Sequence, residues 1–239
     1  MKQANDAYTR DLIDKPKRGR PRKVDALSQA ERAAKYRARK RSLTAPIERA
    51  TMVAALFVRE DSHYKTMRGV DAWDATRDAR SWPGGVPLVA HPPCRAWGRL
   101  RGFAKPRPDE KDLARFAVAN VRKWGGVLEH PQASTLWIDQ GLPRPGTGFD
   151  QFGGWTLQVP QYWFGHQAEK MTWLYIVGCP DIPAIPVRVG RPPMVVCNSL
   201  PPGHPKHRPG MHTPQRERTP ADFAIWLVEL ARRCRVHGA

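Results

Sequence analysis

Two side chains in this sequence could make and break bonds together, the Cys94 thiol and the Glu129 carboxyl. Cys94 lies in Pro87-Leu88-Val89-Ala90-His91-Pro92-Pro93-Cys94-Arg95-Ala96-Trp97, an apolar run that enters a double-proline turn. Glu129 lies in Val127-Leu128-Glu129-His130-Pro131, a second apolar run that ends on an acid beside proline. A thiolate is a strong nucleophile whose availability is set by its surroundings, and a carboxyl beside it can move a proton during addition. A lone cysteine is more often a small buried hydrophobe, and an acid after a strand more often a solvated loop residue. Chemistry therefore requires a fold that brings the two together.

The stretch between them supplies such a fold. Asp109-Glu110-Lys111-Asp112 puts acids where a helix N-terminus favours them, and Leu113, Phe116, Ala117, Val121 and Trp124 follow at helical spacing. Gly125-Gly126 then ends the helix. Strand, helix and strand in so short a span make a βαβ unit with two parallel strands. Both strands then end on one edge of an open sheet, where α/β proteins place their ligands. If the strands are neighbours, Cys94 and Glu129 face one crevice.

The remaining elements fit an α/β domain with an open, mostly parallel sheet and an antiparallel hairpin. Thr51 to Val58 is a first apolar strand, and Gly69 to Asp74 a second that ends in an acid. Residues 139–156 are rich in Gly and Pro and read as a long loop. Gln158 to Phe164 and Met171 to Val177 are β-rich and joined by a polar turn, so they predict the hairpin. Residues 179–218 are irregular, and Thr219, Pro220 and Asp222 open a last amphipathic helix.

Charge bears on the partner. The net charge is +18, and residues 1–50 carry 15 Lys and Arg against 6 Asp and Glu. This predicts a basic, partly disordered arm over residues 1–48 ahead of a domain over 49–239. Within 15–23, Arg18-Gly19-Arg20-Pro21 resembles an AT-hook, in which glycine lets the backbone approach a narrow minor groove while the arginines exploit its potential. Ser28 and Glu31 form a capping box for a basic helix over 28–41 that has no large apolar stripe. A second basic stretch, Arg95 to Arg107, includes Arg99 and Arg101 directly after Cys94. Together these point to double-stranded DNA as partner, through phosphate neutralisation and counterion release.

Other classes find less support. No apolar run reaches the roughly 20 residues that span a bilayer. Four dispersed cysteines fit a reducing, cytoplasmic setting better than a disulfide framework. Cys179, Cys197, His204, His207 and His212 share one irregular stretch, but their spacing matches no compact zinc pattern, so no metal is expected.

At these residues the chain resembles the DNA cytosine-5 methyltransferases, as a short, divergent, phage-like version. Pro92-Pro93-Cys94-Arg95-Ala96-Trp97 is similar to the family's Pro-Cys nucleophile loop, and Leu128-Glu129-His130-Pro131 to its Glu-Asn motif, with His130 in place of Asn. Gln161-Tyr162-Trp163-Phe164-Gly165 sits where the family has Gln-x-Arg-x-Arg, and Arg216-Glu217-Arg218-Thr219-Pro220 resembles its late Arg-x-x-Thr region. The resemblance implies a Rossmann-like methyltransferase fold and a base flipped from the duplex. It implies Cys94 adding to C6 of cytosine, Glu129 acting as acid at N3, and S-adenosylmethionine as donor. The family's two arginines are missing, and Arg95, His166 or Lys170 would take their part; Gln161, His166 and Lys170 would also face DNA. Pro92 and either Asp71 or Asp74 would serve the cofactor. No glycine-rich loop follows the first strand, where Arg59-Glu60-Asp61-Ser62-His63-Tyr64 stands instead. That departure leaves a donor other than S-adenosylmethionine, or a DNA-binding protein without catalysis, as alternatives.

Overall fold

Hydrophobic alternation builds this domain around one sheet. The computed structural model describes residues 27–44, 52–197 and 200–235. The chain divides between Pro46 and Ile47. Ahead of that point lies helix α1, Gln29–Thr44. Ser28 and Glu31 cap it reciprocally: the Glu31 N–H donates to Ser28 Oγ at 3.2 Å, and the Ser28 N–H to Glu31 Oε2 at 2.7 Å. The hook residues Arg18, Gly19 and Arg20 lie outside the described residues.

After Ile47, strands β1 (Val53–Leu56), β2 (Val70–Trp73), β3 (Leu88–Ala90), β4 (Gly126–Pro131), β5 (Trp155–Pro160) and β6 (Met171–Val177) form a six-stranded sheet in the order β2-β1-β3-β4-β6-β5. The pairs β1–β2, β1–β3 and β3–β4 are parallel, while β6 runs antiparallel to both β4 and β5. Only β6 is therefore reversed. The fold is α/β with a mixed, mostly parallel sheet, and the hairpin of β5 and β6 forms one edge of it.

Period-two alternation sends side chains to two cores. Val53, Ala55, Val89, Val127, Leu174 and Ile176 pack on one face with α5, Ala221–Arg233, through Phe223, Trp226, Leu227 and Leu230. Ala54, Leu56, Leu88, Ala90, Leu128 and Tyr175 pack on the other with α2, Glu110–Trp124, through Ala114, Ala117, Val118 and Val121. The expected βαβ unit is present: β3 leads through α2 into β4, with Leu88, Val89 and Ala90 in register with Gly126, Val127 and Leu128. Two short helices, α3 (Leu136–Asp139) and α4 (Thr213–Glu217), were not evident in the sequence.

Three boundaries differ from expectation. The first hairpin strand begins at Trp155, because pairing with Ile176 draws Trp155 and Thr156 out of the Gly- and Pro-rich stretch. It ends at Pro160, and Gln161–Phe164 coil into a 3-10 turn closed by Gly165 in the left-handed region. Helix α5 starts at Ala221 with Pro220 as its N-cap and no side chain capping it, so Thr219 stands ahead of the helix rather than opening it.

Candidate functional site

The carboxyl ends of β1, β3 and β4 open into a cavity of about 1120 Å³ lined by Cys94, Glu129, Tyr64, His91, Lys170 and Arg216, among others. Because β3 and β4 are neighbours and parallel, the Cys94 turn and Glu129 leave the sheet side by side. The crevice expected from the βαβ spacing therefore exists, and both residues line it.

Cys94 is half-buried, and its carbonyl accepts from the N–H groups of Trp97 at 3.0 Å and Gly98 at 2.8 Å, which fixes the turn. Burial pushes the thiol pKa up, the Glu129 charge pushes it further, and Lys170 pulls against both. In the free protein this cysteine is held as a thiol.

Three donors converge on Glu129. The His91 ring pairs through Nδ1 with Oε2 at 3.0 Å, Gln161 Nε2 donates to Oε1 at 3.0 Å, and Thr172 Oγ1 donates to Oε1 at 3.3 Å. Burial alone would raise this carboxyl, but the His91 hydrogen bond, with the charge of Lys170, outweighs it and holds the pKa at about 2. Glu129 rests as a carboxylate, so it is not a resident acid. Behind it, His91 Nε2 meets the hydroxyl of Tyr64 at 2.9 Å. Burial and Glu129 push the Tyr64 phenol well above its ordinary value, so it stays protonated. A Glu129 carboxylate only accepts, so Nδ1 carries the hydrogen and donates to it, and Nε2 faces the Tyr64 hydroxyl.

Tyr64, His91 and Thr172 had not been read as site residues. The signal was thin: a ring inside the polar turn after the first strand, and a histidine three residues before Cys94. Only the adjacency of β1 and β3 joins them.

His130 stands behind the Cys94 turn. It is buried, its Nδ1 meets Ser134 Oγ at 2.8 Å, and the Pro93 carbonyl acts on its ring although Nε2 lacks a well-formed hydrogen bond. Burial lowers its pKa to about 4. As pH falls below the ordinary histidine value, the unfolded chain takes up a proton that folded His130 refuses. Stability tied to this group is lost on acidification, by about 2 kcal/mol between about pH 7.5 and about pH 5. In urea titrations at those two pH values, His130→Asn should show a drop smaller by that amount; an equal drop in both proteins would contradict it.

Other anticipated residues are placed differently. Arg95 lines the cavity and at the same time pairs with Glu110, whose side chain is fully buried at the start of α2. It anchors the loop after Cys94 to that helix. Pro92, Arg99 and Arg101 line the cavity, as does Lys170, whose backbone sits at φ 36° and whose charge acts on both Cys94 and Glu129. Gln161 and His166 are buried, 1% and 4% exposed, so neither presents a side chain to a DNA-facing surface. Gln161 instead holds Glu129, and His166 Nδ1 engages the Ala168 backbone.

The residues do not fit S-adenosylmethionine. Its ribose calls for a free carboxylate at the end of β2. Asp71 there takes Arg77 at 2.6 Å and the Trp73 indole at 2.8 Å, while Asp74 takes Lys65 and two backbone N–H groups. Neither acid lines the cavity. Where a glycine turn would let a cofactor approach the end of β1, Phe57 stands at φ 60° with its ring edge-on to Phe116.

Among the described residues no group of three or more His, Cys, Asp or Glu is arranged to hold a metal ion. Cys179 is buried and meets Cys234 instead. No described helix is long and apolar enough to cross a membrane. No protein-family model, no curated protein and no solved structure matches this chain.

Proposed function

We propose that this chain modifies DNA at C5 of a flipped cytosine, with Cys94 adding to C6 and Glu129 serving N3. The convergence of Cys94 and Glu129 on one cavity carries this reading. C5 of cytosine is a poor nucleophile inside an aromatic ring. Adding sulfur at C6 while N3 gains a proton breaks the aromaticity and makes C5 enamine-like, so that it can attack an electrophile. Of the four sequence segments that resemble the cytosine-5 methyltransferases, three line the cavity and the fourth reaches Glu129 through Gln161. An open sheet with its cavity beyond the strand carboxyl ends supports a Rossmann-like, methyltransferase-type reading of the fold.

The cavity mouth suits duplex DNA. Arg99 and Arg101 flank it, and between Arg101 and Lys105 the Phe103 ring is 92% exposed, with Leu100 46% exposed beside it. Exposed apolar side chains among cations can enter a base stack that a flipped nucleotide has left. The basic arm adds phosphate contacts. Deleting residues 1–48 is expected to weaken duplex binding about tenfold or more at moderate salt and to flatten its salt dependence. Unchanged binding in a fluorescence anisotropy titration would remove the arm from the reading.

The engaged state of Asp71 and Asp74 favours a second reading of the donor, in which the group transferred to C5 comes from a molecule other than S-adenosylmethionine. Incubation with duplex DNA containing 5-fluorocytosine tests the chemistry. The fluorine blocks release after transfer at C5, so a covalent protein–DNA adduct should accumulate and be seen by mass spectrometry. Tight binding with no adduct, with or without S-adenosylmethionine or a cell extract as donor source, would point to a binding module instead. Nucleoside mass analysis of DNA from cells expressing the protein identifies the transferred group.

A further inference from the structure

We propose that Tyr64 and His91 are positioning residues that keep Glu129 a proton acceptor for the Cys94 thiol, so that the proton N3 gains is the one Cys94 loses. This rests on the cytosine reading above for its substrate, but its statement about Glu129 does not.

Geometry carries the inference. Glu129 is only 12% exposed, and His91 and Gln161 aim N–H groups at its oxygens, His91 at Oε2 and Gln161 at Oε1. A protonated carboxyl would need an acceptor: at Oε1 the Thr172 hydroxyl could turn to the Lys170 carbonyl and accept, but at Oε2 the only partner among the described residues is the His91 ring. His91 could itself be that acceptor if its hydrogen moved from Nδ1 to Nε2, but Nε2–H would then meet the buried Tyr64 hydroxyl, whose own hydrogen has no other acceptor among the described residues. The phenol thus locks the ring, and the ring locks the carboxylate.

The proton balance then closes within the site. At rest one mobile proton is shared by the reacting pair, and it sits on sulfur. As the S–C6 bond forms, the C5=C6 electron pair moves to C4–C5 and the C4=N3 pair moves onto N3. The thiol proton passes to Glu129 and from there to N3, leaving Glu129 a carboxylate again. No outside acid or base is consumed.

The other groups that face this pair are Lys170 before β6, His130 on β4, His166 in the hairpin loop and Glu217 on α4, all of which act on Cys94, Glu129 or both. Variants at 64 and 91 leave these in place. Isotope-edited NMR of glutamate-labelled protein, assigned with Glu129→Gln, follows the Glu129 carboxyl without DNA. In wild type it should stay ionised from about pH 8 to about pH 5, whereas in His91→Leu burial without the donor should move its titration up into or above the ordinary carboxylate range. His91→Gln, which keeps a side-chain N–H, should restore part of the wild-type behaviour. On 5-fluorocytosine DNA, His91→Leu should lose adduct rate roughly tenfold between about pH 8 and about pH 5, a loss wild type lacks. Tyr64→Phe, the mildest change, should show the same trend more weakly and serves if His91→Leu does not fold. An unchanged Glu129 titration in both variants overturns the inference, as does an identical pH dependence of adduct rate. Absence of any wild-type adduct counts against the cytosine reading alone, since the carboxyl titration still decides what His91 does.

Discussion

Cys94→Ala is expected to abolish covalent capture of 5-fluorocytosine DNA while leaving the fold and duplex affinity near wild type. The residue is half-buried at a turn held by its own carbonyl, so losing one sulfur costs about 1 kcal/mol or less. Cys94→Ser should be equally inactive, because a hydroxyl lacks the nucleophilicity of sulfur. The pairing of a thiol with a resting carboxylate adds a second, DNA-free signature. Since burial and Glu129 both raise the Cys94 pKa, alkylation by iodoacetamide at neutral pH should be slow there and faster at the exposed Cys197. An adduct that survives Cys94→Ala would assign the nucleophile elsewhere and remove the central residue of the proposed chemistry.

What the amino-acid order reveals about this site depends on how local each feature is. The α2 boundaries were legible because acids, helical spacing and a Gly-Gly stop all lie within one stretch, and the parallel course of β3 and β4 followed from the helix between them, whereas their direct pairing is seen only in the structure. The hairpin was legible as two β-rich runs, but its outer strand was shifted because pairing energy, not propensity, draws Trp155 and Thr156 into the sheet. The electrostatics of Glu129 were not legible. Its ionised state depends on donors 38, 32 and 43 residues away in sequence, which meet only because β3 and β6 both flank β4. Asp71 and Asp74 looked available for the opposite reason. Free acids at a strand end suggest a ligand, yet Arg77, only a few residues on, reaches back to Asp71, and the intervening turn closes on Asp74.

Gly126→Ala is expected to have the largest effect on stability, about 4 kcal/mol or more, with a fall of roughly 10 °C in Tm. Gly126 opens β4 at φ 126°, where side chains other than glycine's are strained. A Cβ there would lie 2.0 Å from the Leu88 carbonyl oxygen and 2.6 Å from its nitrogen. Those atoms are sheet backbone, held by a bond of the Leu88 N–H to the Gly125 carbonyl at 3.1 Å, so they cannot yield as a flexible side chain would. Relief requires β3 and β4 to separate, and these strands deliver Cys94 and Glu129 to one cavity. If the variant folds at all, adduct formation should fall with stability rather than independently of it. Gly102→Ala, where a Cβ meets nothing within 4 Å, is the matched control and should leave Tm near wild type. A Gly126→Ala protein that keeps both its Tm and its adduct rate would mean that the close approach of β3 and β4 is not what sets the spacing of thiol and carboxylate.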